Sequence, residues 1–283
     1  MSWQSWGRLW LDASWPIELA EMQARSILIT GASSGIGREL TLAYARPAAS
    51  LSLLGRDKGR LEETAAAARA QGAEVSTVEL DVRDQEAMAR WIKAQDQREP
   101  FDLVIANAGI TTGLAPLEIA EDPRAVRAIV GINLIGVFNT VEPLIEPMCA
   151  RGAGHIAFIG SIAGLRGLPY APSYCATKAA IHAYSESLRG RLKAYGVRVS
   201  LIIPGFVKTP LNESIEAIKP LEISGARAAL LIRRGLDKGK PIVAFPWPLY
   251  LLARLSRILP VSLADEVLSR IKVNIPQTRE RIH

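Results

Sequence analysis

The chain runs to 283 residues, 49% hydrophobic and 22% charged, which supplies material for a sizeable core and excludes the disordered and fibrous classes. Its two cysteines, Cys149 and Cys175, lack C-x-x-C spacing and its three histidines stand far apart, so neither a disulfide framework nor a metal site is expected, and a reducing, cytoplasmic location is the default. The formal charge of +6 is uneven, with 11 Lys/Arg against 4 Asp/Glu from Gly225 to His283 and 23 against 24 elsewhere, and no motif for nucleic acid accompanies it.

Residues 1–24 hold four of the six tryptophans, Trp3, Trp6, Trp10 and Trp15. The first three fall at i, i+3 and i+7, on one helical face. Asp12 interrupts the apolar stretch and no basic region opens it, so it does not read as a secretory signal. It is an added element, packed on the body or lying in a membrane interface.

Ile27 to Gly37, ILITGASSGIG, reads as a buried parallel strand, a glycine-rich turn and the start of a helix from Arg38 to Arg46. Gly31, Gly35 and Gly37 allow a backbone approach that a Cβ would block, and a helix N-terminus favours an anion. The spacing G-x-x-x-G-x-G differs from the general dinucleotide fingerprint, so by itself it fits an ordinary strand-to-helix turn as well as a phosphate site.

Strand and helix patterns then alternate. Strands are predicted at Ser50–Leu54, Glu74–Leu80, Leu103–Ala106, His155–Ile159 and Val197–Ile203. Helices are predicted at Lys58–Gln71, Asp84–Gln97, around Pro123–Cys149 and at Ser173–Ala194. Such alternation predicts one α/β domain with a parallel sheet covered on both faces and a ligand crevice at the strand C-termini.

The loops at that edge carry the chemistry. After the second strand, Gly55 is followed by Arg56, where a carboxylate would bind the ribose 2′-hydroxyl of NAD and an arginine accommodates the 2′-phosphate of NADP. NADP(H) is therefore expected over NAD, the alternative for Arg56 being a surface charge. Asp81 and Val82 follow the third strand; Asn107, Ala108 and Gly109 follow the fourth. Asp81 could accept from an adenine amino group, and Ala108 and Gly109 let backbone lie near a ribose. Ser161 follows the fifth strand, and Tyr174 and Lys178 stand at i and i+4 on one helix face.

Taken together, TGASSGIG, the Asn107–Gly109 triplet, Asn133, Ser161, the Tyr174-Cys-Ala-Thr-Lys178 run, and Pro204-Gly205 with Val207 and Thr209 resemble the short-chain dehydrogenase/reductase superfamily over about residues 25–244. The resemblance implies a Rossmann-type three-layer α/β/α sandwich with a doubly wound parallel sheet. It also implies an oxidoreductase that interconverts a ketone and a secondary alcohol by hydride transfer. Asn133, Ser161, Tyr174 and Lys178 are the implied catalytic set, with Asn133 holding a relay water. The implied cofactor contacts are Gly31, Ser33, Ser34, Gly35, Ile36, Gly37, Arg56, Asp81, Val82, Asn107, Ala108, Gly109, Tyr174, Lys178, Pro204, Gly205, Val207 and Thr209. Independently, an ammonium at Lys178 is expected to lower the Tyr174 pKa, and Ser161 to donate to a carbonyl oxygen.

The resemblance further implies that residues 204–225 cover the substrate, and Leu211, Ile215 and Ile218 within them read as a short apolar helical face suited to an apolar ketone or alcohol. Residues 245–283 form a C-terminal extension in which Leu249–Leu259 reads as a helix with Arg254 and Arg257 on one face. At about 16 Å it is too short to cross a bilayer core of about 30 Å. It and residues 1–24 could pack in a homodimer or homotetramer or touch a membrane surface. Alternatives for function are a 3-oxoacyl reductase facing an acidic carrier, a reductase of cell-envelope lipid or polysaccharide synthesis, and a non-catalytic NADP sensor.

Overall fold

The computed structural model describes residues 24–114, 118–213, 216–269 and 273–274. Residues 1–23, with the tryptophan face, and Ile215 of the expected lid stripe lie outside them. The chain runs β1 (Ser26–Thr30), α1 (Gly35–Tyr44), β2 (Ser50–Gly55), α2 (Lys58–Arg69), β3 (Glu74–Glu79), α3 (Gln85–Arg98), β4 (Leu103–Ala106), α4 (Pro123–Val130), a π turn (Gly131–Ile135), α5 (Gly136–Arg151), β5 (His155–Ile159), α6 (Pro172–Leu192) and β6 (Arg198–Pro204). It continues through β7 (Val207–Lys208), α7 (Pro210–Glu213), β8 (Glu216–Ala217), β9 (Ile223–Ser224), α8 (Gly225–Asp237), β10 (Ile242–Phe245), α9 (Trp247–Leu255), α10 (Val261–Ser269) and β11 (Val273–Asn274).

Seven strands form one parallel sheet in the order β10-β6-β5-β4-β1-β2-β3. The period-2 alternation of a strand explains the two cores. Ile27 and Ile29 face one side with Leu40 of α1, Leu61 of α2 and Ile232 of α8. Leu28 faces the other with Met88 and Ile92 of α3, Val141 of α5 and Ile181 of α6. The result is the doubly wound Rossmann-type sandwich, and its two halves diverge between β1 and β4, where the crevice opens.

Local chemistry sets the helix ends. Asp57 and Asp84 cap α2 and α3, each carboxylate accepting at 3.0 Å from the amide three residues on. Asp122 accepts from Arg124 N–H ahead of Pro123, and Gly152, at φ +67°, ends α5 in the left-handed conformation.

Three readings of the sequence change. A seventh strand, β10, stands at Ile242–Phe245, where no strand was expected; it adds to the sheet by pairing Val243 with Ile202 and Phe245 with Pro204. The helix expected at Leu249–Leu259 is α9, which begins two residues earlier and stops at Leu255. Leu211 and Ile218 do not share a helix: Leu211 lies in α7, which ends at Glu213, whereas Ile218 follows β8, which pairs antiparallel with β11, and is exposed.

Asp96 ties α3 to α5 and to the approach of β4. Its carboxylate accepts from the Arg151 guanidinium at 2.8 and 3.1 Å and from Phe101 N–H at 2.9 Å, and its side chain is 8% exposed. Asp96→Ala leaves Arg151 and that amide without their acceptor, so urea unfolding should show a loss of about 3 kcal/mol. A loss of well under about 1 kcal/mol would place the pair among ordinary surface ion pairs.

Candidate active site

The turn between β1 and α1 is held by close contact rather than by side chains of its own. Gly31 and Gly35 have φ of +67° and +54°. A Cβ on Gly31 would lie 2.9 Å from Ala108 Cα, and one on Gly37 would lie 2.2 Å from the Gly31 carbonyl oxygen. Asn107 braces the turn from β4, its Nδ2 donating to the carbonyl oxygens of Thr30 at 2.8 Å and Gly31 at 3.3 Å. The Thr30 hydroxyl in return accepts from the amides of Asn107 and Ala108.

Ser34 is the N-cap of α1, yet its side chain makes no capping bond, so the first amides of α1 are left to an external acceptor. A glycine cradle under an uncapped helix N-terminus fits the pyrophosphate of a dinucleotide. Thr209, beyond β7, lies beside Gly35, while Gly205 N–H donates to Phe245 O at 2.7 Å and Val207 pairs with Ile223. The expected nucleotide residues of β1, β4 and the loop after β6 therefore converge on one edge.

Arg56 is exposed at the end of β2, its guanidinium 3.8 Å from the Asp81 carboxylate. Asp81 is engaged more closely by Arg83, whose Nη2 lies at 2.7 Å and Nε at 3.0 Å. Partial burial opposes ionisation of Asp81, but the hydrogen bonds and charges of Arg83, with Arg56 further off, hold its carboxyl below the usual range. Arg83, which the sequence reading passed over, thus occupies much of the capacity of Asp81 to accept from an adenine. Val82 is buried, and its carbonyl accepts from Asn139 at 2.8 Å.

The other half of the site is built on β5 and α6. Ser161 leaves β5 extended, and its hydroxyl oxygen accepts from Ala163 N–H at 3.1 Å. That bond fills a lone pair and leaves the hydroxyl proton to point elsewhere. Burial pushes the Tyr174 hydroxyl up to about 12, and the Ser161 side chain beside it opposes that rise only in part. One turn on, Lys178 Nζ donates to the Ile159 carbonyl at 2.8 Å, 5.8 Å from the centre of the Tyr174 ring, and burial pulls its ammonium down to about 8. The expected lowering of Tyr174 by Lys178 is absent because Nζ is turned to Ile159 and burial dominates.

Asn133 is fully buried in the π turn, against α6. Its amide forms a reciprocal pair with Ile110, accepting from N–H at 2.8 Å and donating to C=O at 2.9 Å. Both polar ends of the side chain are thus engaged, one bond each, while the π turn takes neighbouring main-chain carbonyls out of the regular ladder.

His182, one of the three histidines that stand far apart in sequence, sits directly behind Ser161. Its Nε2 accepts from Ser161 N–H at 3.4 Å, and a Cβ on Gly160 or Gly164 would come within 2.6 or 2.8 Å of its ring. The signal in the sequence was its place one turn after Lys178. At the mouth of the site, the Glu121 carboxylate accepts from the amide and hydroxyl of Ser173, beside Tyr174. A separate shallow cavity of about 320 Å³ lies at the opposite end of the strands, lined by Ser26, Ser50, Glu74 and Glu99, away from these groups.

Burial lowers His182 to about 4, helped by the charge of Lys178, and lowers His155 to about 3. An unfolded histidine takes its proton near 6.5 (about), so the unfolded chain binds more protons below that pH. Stability should be full above about 6.5 and fall as pH drops toward about 4. Replacing His182→Gln removes one of the two protons while offering an acceptor to Ser161. Urea midpoints taken at intervals down this range should fall less steeply for the variant; parallel slopes would contradict the assignment.

The sequence model of the short chain dehydrogenase family matches residues 25–219. An uncharacterized oxidoreductase of Myxococcus xanthus strain DK1622 is 37% identical over 257 residues, covering 90% of this chain and all of that one. Two solved structures share the fold at 24% identity. A short-chain dehydrogenase from Sphingobium yanoikuyae in complex with NADPH has a TM-score of 0.74 over 88% of this chain and 96% of its own. One from Burkholderia phymatum in complex with NAD has a TM-score of 0.75 over 91% and 99%. With the family match spanning most of its length and the tyrosine, lysine and glycine turn gathered at one sheet edge, the chain belongs to the short-chain dehydrogenase family and is an oxidoreductase of that family.

Proposed function

We propose that this oxidoreductase interconverts a ketone and a secondary alcohol of apolar character, using NADP(H) in preference to NAD(H). The observation that carries the reading is that Ser161, Tyr174 and Lys178 stand together at the same sheet edge as the glycine cradle, with Lys178 Nζ 5.8 Å from the centre of the Tyr174 ring. Gly31, Ser33, Ser34, Gly35, Ile36 and Gly37 would hold the pyrophosphate, Arg56 the 2′-phosphate, and Tyr174 and Lys178 the nicotinamide ribose. The dinucleotide, when bound, supplies or accepts the hydride.

The chain's own groups handle the oxygen and its proton. The Ser161 hydroxyl, oriented by Ala163 N–H, donates to the carbonyl oxygen and stabilises the charge that develops there. Tyr174, held protonated at neutral pH by burial, gives its hydroxyl proton to the alkoxide oxygen as the ketone is reduced and takes it back in the reverse direction. Lys178, poised near 8, can exchange a proton close to neutrality, which suits a relay from Tyr174 toward solvent. Partly buried Ile162, Leu165 and Leu168 around Ser161 and Tyr174 favour an apolar substrate.

Tyr174→Phe removes the transferable proton and should lower kcat/KM for a ketone about a thousandfold, while NADPH binding, followed by fluorescence, persists. Undiminished turnover would refute the role. Arg56→Ala should raise the Kd for NADPH about tenfold or more, as expected for a lost charge-assisted bond to phosphate, and leave that for NADH nearly unchanged. Equal effects on both nucleotides would remove the ground for an NADP preference.

A further inference from the structure

An amphipathic helix normally turns its apolar stripe to the core. In α9 the arrangement is reversed. The inner side is anchored by Leu249, beside Gly205, and by Tyr250, which joins the core. Trp247, Leu251, Leu252 and Leu255, at i, i+4, i+5 and i+8, share the outer side and face solvent, Trp247 being 69% and Leu252 65% exposed. The next turn and the start of α10 continue the surface with Ile258, 80% exposed, and Val261, 69% exposed. Most of the large exposed apolar side chains among the described residues therefore fall in this one short segment, a clustering that marks an interaction surface.

Its charge selects the partner. Arg254 and Arg257 are exposed at the rim, Arg254 being steadied by the Tyr250 hydroxyl at 3.0 Å. Across residues 247–269 these two arginines stand against Asp265 and Glu266, and the sequence of the wider terminal block from Gly225 to His283 carries 11 basic against 4 acidic residues. Of the acids on α10, Asp265 is paired with Arg166 at 3.0 Å, and Glu266 is its neighbour. A two-fold contact of this face with a second copy would set Arg254 and Arg257 against like charges. A tryptophan and leucines rimmed by arginines instead suit an interfacial helix lying on anionic lipid. The long apolar run from Pro123 to Arg151 is a core element rather than a second attachment, since its most apolar stretch is mostly buried inside the fold.

We propose that the outer face of α9 and the start of α10 docks this protein on an anionic membrane surface. Docking rests on this face alone. Because α9 also packs against the turn that follows Ser161, the docked face borders the site, and an apolar substrate would enter from the bilayer; that consequence rests on the reductase reading above.

The test is co-sedimentation of the full chain with vesicles of equimolar phosphatidylglycerol and phosphatidylcholine, compared with phosphatidylcholine alone. The protein should pellet with the anionic vesicles and far less with the neutral ones. Leu252→Asp with Leu255→Asp should weaken binding at least about tenfold, since two apolar side chains leave the interface. Arg254→Glu with Arg257→Glu should abolish the preference for anionic lipid, while thermal unfolding by circular dichroism confirms that both variants are folded. Failure to pellet, whether as a monomer or as a dimer dissolved by the leucine changes, would overturn the proposal. Unaltered binding of the folded leucine variant would also overturn it. Vesicle binding without ketone turnover would instead sustain docking and count against the reductase reading.

Discussion

The clamp between the ends of β1 and β4 is the constraint on which the site depends. Asn107 reaches across to the carbonyls of Thr30 and Gly31, the Thr30 hydroxyl returns bonds to Asn107 and Ala108, and Gly37 brings α1 down onto the same turn. These contacts use polar atoms that would otherwise be orphaned at the point where the sheet's two halves diverge. They leave the α1 amides facing outward, with no side chain of their own to satisfy them. A side chain at Gly31 or Gly37 would part the strands and the helix together, which is why the cradle is made of backbone.

Across the crevice the governing effect is burial rather than charge pairing. Tyr174 and Lys178 are both driven toward their neutral forms, one upward to about 12 and the other downward to about 8. Mutual attraction between a tyrosinate and an ammonium would have produced opposite shifts. The pair is arranged as a phenol that keeps its proton and an amine that exchanges one near neutrality. Ser161 and His182 set the geometry behind them: the serine is bound at its hydroxyl by Ala163 and at its amide by the histidine ring.

Much of this was legible in the residues. The run Ile27–Thr30, the apolar strands at Leu103 and His155, and the i, i+4 placement of Tyr174 and Lys178 each rest on local periodicity, and each element appears within a few residues of its expected bounds. What was hidden depends on partners distant in sequence. The strand Ile242–Phe245 is four residues long between prolines, and its identity comes from register with β6. The Asn133 amide is closed by Ile110, a partner outside its own segment, whereas Asp81 is taken by its near neighbour Arg83 through a side-chain geometry that spacing alone does not give. Ile218 failed as a helix position because β8 finds an antiparallel partner in β11.

That hidden strand also changes how the terminal segment relates to the chemistry. Adding β10 to the sheet brings Phe245 level with Pro204, and the Gly205 amide bonds the Phe245 carbonyl at 2.7 Å. From there one path leads through Val207 to Thr209 beside Gly35 at the glycine turn, and the other through Leu249 into α9. The C-terminal residues are therefore a wall of the crevice rather than an appendage to it. The cost of keeping α9 there with its leucines in water is borne by the inner contacts of Leu249 and Tyr250. A helix placed only to close the crevice would need no more than those, so closing the crevice does not account for the apolar outer face.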